Sequence, residues 1–314
     1  MTAGLSAIDL ALLLVAGVLV DRLLGEARRW HPLVGFGMLA AWLECGLNKG
    51  ERRLLRGAAA WLLAVIPLTV LAWWLAGLGG MAVHLMLLYF CIGLRSLGEH
   101  NLPIAAALDA GRLDQARQLT ARIVSRDTQD AADGELAKAS AESLLENGND
   151  AVFGTLFWFA LAGGPGALAF RLVNTLDAMW GYRSSRFLMF GRVAARIDDA
   201  LNFIPARLTA LSYVLLADHR ASAWRCWREQ APHWPSPNAG PVMASGAGAL
   251  GLALGGHAVY DGVPEQRPPL GAGRPAEAGD IRRAWRLVEA VTILWLGVAC
   301  AIAFIGWLWR VSHA

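Results

Sequence analysis

Three stretches of this chain gather acids, amides and arginines inside otherwise apolar sequence: ENGND (146–150), NTLDAMWGY (174–182) and GRVAARIDDALNFIPARLTA (191–210). In the first, Glu146 and Asp150 are four residues apart and share a helix face, with Asn147 beside them. Two carboxylates and an amide on one face suit Mg²⁺, which takes carboxylate oxygens together with substrate phosphates. They equally suit a solvated helix end whose acids complement the next helix N-terminus. In the second stretch, Asn174 and Asp177 are three apart within an apolar helix. Polar groups in such a setting either pair one helix with another or serve function. In the third, Arg192, Arg196, Asp199 and Asn202 recur at spacings of four, three and three and form one stripe, with Asp198 just off it. Arginine recognises phosphate bidentately, whereas neighbouring aspartates repel it unless a cation sits between. The mixture points to a metal–phosphate site, although an internally paired amphipathic helix has the same pattern.

Smaller features surround these. Arg126 in SRDT (125–128) is a further phosphate candidate or a turn residue. The small-residue run SPNAGPVMASGAGALG (236–251), which carries Asn238, either lets backbone approach a ligand or packs helices closely. His31, next to Pro32, is read as structural first. The chain has no GxxxxGK[ST], HExxH or GxSxG, and no GxGxxG between a strand and a helix. Any nucleotide site is therefore of another kind.

The elements that must position these residues are apolar. Of 314 residues, 56% are hydrophobic and only 17% charged, against roughly 25% for a soluble domain. Mean hydropathy is +0.41, so a membrane protein with a substantial aqueous portion is expected. A net charge of +3 is too small to argue for a nucleic-acid partner. Cys45, Cys91, Cys226 and Cys300 share no metal-binding spacing and are expected to be free thiols, mostly buried. The N-terminus has no basic region before its apolar stretch, which favours an uncleaved first span.

A span needs about 20 apolar residues. Met1–Val20, two segments within Gly57–Leu94 hinged at GLGG (77–80), and Ala290–Trp309 meet that length. The stretch 151–170 is interrupted by Gly163-Gly164-Pro165-Gly166, so 151–180 is expected to form a re-entrant or interfacial helical hairpin. Arg207 interrupts 201–217, which is expected to be buried in protein or partly inserted. Arginines at 22, 28, 29, 52, 53 and 56 place the first loop in the cytoplasm, and the motif-rich region with it. The fold expected is all-α: an integral membrane protein with about four transmembrane helices, the hairpin, and cytoplasmic helical segments. Its segments are 1–97 (transmembrane helices with a basic loop), 98–150 (cytoplasmic helices), 151–217 (broken hairpin and motif-rich catalytic segment), 218–286 (loop-rich) and 287–314 (last span). No β-alternation is evident, and 261–280 reads as a surface loop.

Taken in order, DRLLGEARRWHPLVGFG (21–37), VSRDT (124–128), ESLLENGNDAVFGTLFW (142–158), NTLDAMWGY, FGRVAARIDDALNFIPARLTA (190–210) and SPNAG (236–240) resemble the adenosylcobinamide-phosphate synthase family of cobalamin biosynthesis, the CbiB/CobD type. The match runs almost end to end, and the ordered set is specific. The chain departs at Glu26-Ala27, where the family often has Asp-Pro, and at Thr155, where it often has Pro.

The resemblance implies an inner-membrane, multi-pass ligase that joins adenosylcobyric acid to aminopropanol phosphate or aminopropanol, using ATP and Mg²⁺. The cobalt corrinoid is then substrate, not cofactor. Amide formation of this kind usually passes through an acyl phosphate, whose formation needs cationic groups around the transferring phosphoryl. For the site, the resemblance implies only that these motifs recur; within them we assign Glu146, Asp150, Asp198 and Asp199 to Mg²⁺. Arg126, Arg192, Arg196 and Arg207 are assigned to ATP or aminopropanol phosphate. Asn147, Asn174, Asn202 and Asn238 would orient substrate oxygens, and Asp177 would take a proton from the attacking ammonium. Tyr182, with Trp158 and Trp180, would wall the corrin pocket. Asp177, Arg196 and Asp199 form the catalytic set. Lipid, a second copy of the chain and neighbouring membrane enzymes of late cobalamin synthesis are the further partners it suggests. A non-catalytic sensor, which would lack the acidic and arginine motifs, and a transporter of a phosphorylated small molecule are the competing classes.

Overall fold

The computed structural model describes residues 4–27 and 31–313. In chain order the helices are α1 (Ala7–Leu24), α2 (Pro32–Leu47), α3 (Arg53–Cys91), α4 (Leu94–Asp109), α5 (Leu113–Thr120), α6 (Asp133–Asn147), α7 (Gly154–Trp180), α8 (Arg192–Leu215), α9 (Arg220–Gln230), α10 (Ala239–Leu250) and α11 (Ala278–Ser312). Strands β1 (Leu252–Tyr260), β2 (Val263–Leu270) and β3 (Arg274–Pro275) lie between α10 and α11. The protein is a predominantly helical integral membrane protein. Three helical runs among the described residues are long and apolar enough to cross a membrane: 53–109, 133–180 and 278–312. Half of the apolar window of the second is buried inside the protein, against 22% for the other two. Many side chains of α3 and α11 are apolar yet exposed, among them Leu62, Ile66, Val70, Trp73, Ile302 and Ile305. That is the pattern of a lipid-facing surface.

The two spans expected within Gly57–Leu94 belong to one run, bent where the hinge was expected: Gly80 has φ 54° and ψ −139°. The expected break in α7 falls at Ala162 and Gly163, the latter at φ 64°. Of the expected span Met1–Val20, residues 1–3 lie outside the described residues, and the described part falls in α1, which is not among the three runs. The described helix carries Asp9, Asp21 and Arg22. Asp9 lies in its first turn, in a capping box with Ser6.

The chain divides into two compact units. The first comprises 1–93, 154–202 and 296–314, and the second 94–153 and 203–295. The core of the first is built by α2, α3, α7 and the start of α8, around Phe36, Leu43, Val65, Leu176, Trp180 and Phe190. Its helix break is chemically completed: His84 Nδ1 accepts the Gly164 N–H at 2.9 Å, so the donor released at Gly163 is not left unpaired in an apolar setting.

In the second unit, α10 is buried along its whole length. A Cβ on Gly246 would lie 2.6 Å from the Leu145 side chain, and one on Gly248 2.8 Å from Ala223 Cα. The small-residue run therefore serves close helix packing, the second of its two sequence readings. The region 252–275 is a correction, since it forms a sheet of order β2-β1-β3. Asp261 and Gly262 turn the β1–β2 hairpin with φ 51° and 75°, the two-residue turn that favours Asp-Gly. Pro264, Pro268 and Pro269 are tolerated because β2 is an edge strand. Half of 261–280 is thus strand rather than surface loop.

Candidate functional site

In the second unit the central group is one that the site assignments from sequence leave out. Glu142 on α6 is 3% exposed and pairs with two arginines. Arg267 Nη1 and Nη2 donate to its two oxygens at 3.0 and 3.2 Å. Arg126 Nη2 donates to Oε2. The Gly255 N–H adds a fourth bond, to Oε1, at 2.7 Å. Gly255 sits at a register shift in the β1–β2 ladder, and its φ of 70° aims that N–H at α6. A bulge that redirects a backbone donor is a recurrent feature of functional sites. Arg267 also donates to the Gly255 and Gly256 carbonyls. The segment carrying Arg126 is pinned to the hairpin: the Asp127 N–H donates to the Val259 carbonyl, and Asp127 Oδ2 accepts the Gly262 N–H.

This centre borders two cavities. One, of about 370 Å³, is lined by Arg126, Glu142, Glu146, Asn147, Glu265 and Arg267, with Trp234 and Tyr260 among its other walls. The other, of about 540 Å³, shares Arg126 and adds Asp127, Lys138 and His257. Glu146 lies one turn beyond Glu142, in the charged helix α6 that precedes the apolar stretch 151–170. Burial and the neighbouring Asp150 and Glu142 carboxylates push its carboxyl up to about 7, against the pull of Arg126 and Arg267.

ENGND straddles a change of winding: Glu146 and Asn147 end α6, and Gly148 begins a π-helix, Gly148–Phe153, the wider form that often marks functional sites. Tyr213 Oη donates to the Leu145 carbonyl just before it at 3.1 Å. A Cβ on Gly148 would come within 3.0 Å of that hydroxyl. Asn149 orients Asp150 (Nδ2 to Oδ1, 2.9 Å) and is held in turn by the Thr209 hydroxyl at 2.9 Å. Asn147 donates to Ser143 Oγ at 3.1 Å. Arg207 and Asn238 are brought together: Arg207 Nη1 donates to Asn238 Oδ1 at 2.9 Å and to the Phe203 carbonyl, and Nη2 donates to the Pro237 carbonyl. Arg207 thereby braces the SPN turn, stacked 3.6 Å over the Phe203 ring.

The first unit gathers the rest. Asp198 is buried and accepts from Asn202 Nδ2 at 3.1 Å and Asn174 Nδ2 at 3.4 Å, and Arg171 Nη1 holds the Asn174 oxygen at 3.1 Å. The expected single stripe on α8 is therefore divided. Asn202 turns inward to Asp198, one helical turn back, while Arg192 and Arg196 are exposed and Asp199 is half-buried. Burial raises the Asp199 carboxyl above its ordinary value, against Arg196 and Arg183. Asp177 ends α7 next to Gly181, where a Cβ would fall 2.2 Å from Asp177 Oδ1. Tyr182 is exposed, on a loop fastened to α2 and α3. Arg186 pairs with Glu44 at 2.6 and 3.0 Å, and Arg53 Nη1 donates to the Ser185 carbonyl at 3.2 Å. His31 caps α2, accepting the Leu33 N–H at 3.3 Å.

Among the described residues no three His, Cys, Asp or Glu side chains gather into a self-sufficient metal cage. Glu146 with Asp150, in one unit, and Asp198 with Asp199, in the other, each offer carboxylate oxygens. Such a donor set fits Mg²⁺ that brings phosphate and water oxygens as its remaining ligands, and does not fit a closed structural metal. Cys45, Cys91, Cys226 and Cys300 are all free; Cys91 and Cys226 are buried, whereas Cys45 and Cys300 are exposed.

The family model described as CobD/Cbib protein matches residues 14–288. The chain belongs to the CobD/Cbib family. It is similar to the cobalamin biosynthesis protein CobD of Stutzerimonas stutzeri, 54% identical over 300 residues that cover 94% of this chain and 97% of that protein. The protein of the same name from Chromobacterium violaceum is 52% identical over 304 residues, covering 94% and 97%. That of Mycobacterium tuberculosis is 38% identical over 283 residues, covering 88% and 90%. No solved structure matches the chain. Within this family member, Glu142 had a legible signal, standing four residues before Glu146 on the same helix face. Arg267 had none of its own, because it sits among prolines in a stretch that reads as loop.

Proposed function

We propose that this family member is an ATP-dependent amide ligase of cobalamin biosynthesis, joining adenosylcobyric acid to aminopropanol phosphate or aminopropanol. The observation that carries the reading is the buried Arg126–Glu142–Arg267 centre, bordering a cavity that Glu146 and Asn147 also line. Two guanidiniums on one carboxylate leave net positive charge at a buried wall, which suits a phosphorylated reactant. The similarity to proteins named for cobalamin biosynthesis supports the pathway.

Bound Mg-ATP would supply the phosphoryl group that activates the corrin carboxylate. Glu146 with Asp150 in one unit, and Asp198 with Asp199 in the other, are the two carboxylate pairs either of which would offer oxygens to a metal. The two amides on Asp198 fix its oxygens in place, as a preorganised ligand requires. Arg192 and Arg196, exposed on α8, are available to phosphate oxygens, and Asp177 to the proton of the attacking ammonium. The corrin is far larger than either cavity, and exposed Tyr182 in the first unit would offer it a flat contact. The arginine-rich first loop supports an inner-membrane protein with these motifs on the cytoplasmic side. Replacing Asp199 with Asn abolishes amide formation in an assay with all reactants while the protein stays folded in the membrane. Retained activity would remove Asp199 from the metal set.

A further inference from the structure

The charges around the smaller cavity do not balance, and the imbalance is directional. Glu142 has both oxygens occupied, by Arg126, Arg267 and the Gly255 N–H. Arg267, 9% exposed, directs its donors to Glu142 and to the Gly255 and Gly256 carbonyls. Arg126 is different. Its Nη2 is held by Glu142, but its Nη1 is buried and has no acceptor among the described residues. A buried guanidinium nitrogen without an acceptor is costly. One anion at this wall would both supply the acceptor and neutralise the excess positive charge.

The same cavity also has an acidic lining. Glu146 and Asn147 follow Glu142 along α6, and Glu265 stands on the exposed edge strand β2. These carboxylates disfavour a polyphosphate filling the cavity and attract a cation. At about 370 Å³ the space is small for a ligand pocket, near the lower end of the usual range of about 300–1,000 Å³.

We propose that this cavity binds a small amino phosphomonoester, its phosphate on Arg126 and its ammonium toward Glu146 and Glu265. The inference deepens the ligase reading and rests on it for the identity of the ester, aminopropanol phosphate. It makes Glu142 a positioning residue that holds Arg126, gives Arg126 to the amine substrate rather than to ATP, and gives Glu146 to its ammonium rather than to Mg²⁺.

The test is calorimetric titration of the purified full-length protein in detergent with four probes: aminopropanol phosphate, isopropyl phosphate, aminopropanol and inorganic phosphate. The amino ester is expected to bind at least about tenfold tighter than each of the others, because each lacks one of the two charges or the linking carbons. Arg126→Met lowers its affinity by about thirtyfold or more, and Arg126→Lys recovers part of that, keeping the charge but not the planar fork. Glu146→Gln weakens the amino ester and leaves isopropyl phosphate unchanged, so the preference collapses. If Arg126→Met does not fold, the probe series on the unaltered protein and the Glu146→Gln variant still decide.

The inference is overturned if isopropyl phosphate or inorganic phosphate binds as tightly as the amino ester. It is also overturned if a folded Arg126→Met protein binds the ester normally. Amide formation, followed in the same preparations, separates the two readings. Product without this binding pattern removes the site assignment alone. The binding pattern without product in the complete mixture removes the ligase reading alone.

Discussion

Glu142 and Arg267 meet in a two-point pair at 3.0 and 3.2 Å although 125 residues separate them. One comes from a helix and the other from a strand that the sequence disguises with prolines. Arg126 joins the same carboxylate from a third segment, so one acid ties α6, the hairpin and the SRDT loop together. Removing that acid leaves two guanidiniums without their counter-charge. Glu142→Ala is expected to destabilise the protein by about 3–5 kcal/mol. Arg267→Met should cost less, because Glu142 keeps Arg126 and the Gly255 N–H. Denaturant unfolding of both variants in detergent measures this, and an equal or reversed order would contradict it.

Gly57 and Gly77 both lie in α3, and alanine should act on them in opposite directions. A Cβ on Gly57 would lie 1.9 Å from the Phe190 carbonyl oxygen, whereas one on Gly77 meets nothing within 4 Å. Helix propensity alone favours alanine at either position by about 1 kcal/mol. Gly57→Ala is instead expected to destabilise by about 1–3 kcal/mol and to loosen the 181–191 loop, while Gly77→Ala is neutral or stabilising. Thermal unfolding of the pair reads the sign directly. A stabilising Gly57→Ala would show that the loop does not pack where Phe190 places it.

The raised Glu146 carboxyl makes a pH prediction. Its pKa is about 7 in the folded protein against an ordinary value of 4.5. Between those values the folded state binds more proton than the unfolded state, so stability falls as pH rises through the window. Glu146→Gln removes this contribution. The difference in unfolding free energy, variant minus unaltered protein, should therefore grow from pH 4.5 to pH 7 and level off above. A flat difference would mean that Glu146 is not held protonated by its surroundings.

Much of this was legible beforehand, for identifiable reasons. Apolar run length announced the membrane helices, and the glycine clusters announced both breaks, because positive-φ backbone at Gly80 and Gly163 is what glycine permits. Side-chain periodicity could not show that Asn202 prefers Asp198 to the Arg196–Asp199 edge of α8, since the choice is made by burial against α7. The π-helix that begins at Gly148 was likewise invisible in the local spacing, and the Tyr213 hydroxyl that reaches the Leu145 carbonyl beside it comes from 68 residues away. The sheet was missed although Asp261-Gly262 is a strong hairpin signal; the prolines on either side of Arg267 outweighed it.

Amide formation at the expense of ATP is the activity proposed for this chain. The most direct measurement incubates purified protein with adenosylcobyric acid, Mg-ATP and aminopropanol phosphate, and follows corrin mass and ADP together. The account predicts a corrin product heavier by aminopropanol phosphate less one water, with one ADP for each amide, and neither without all three reactants. A folded protein that yields no such product, or that releases ADP without the amine, would contradict it.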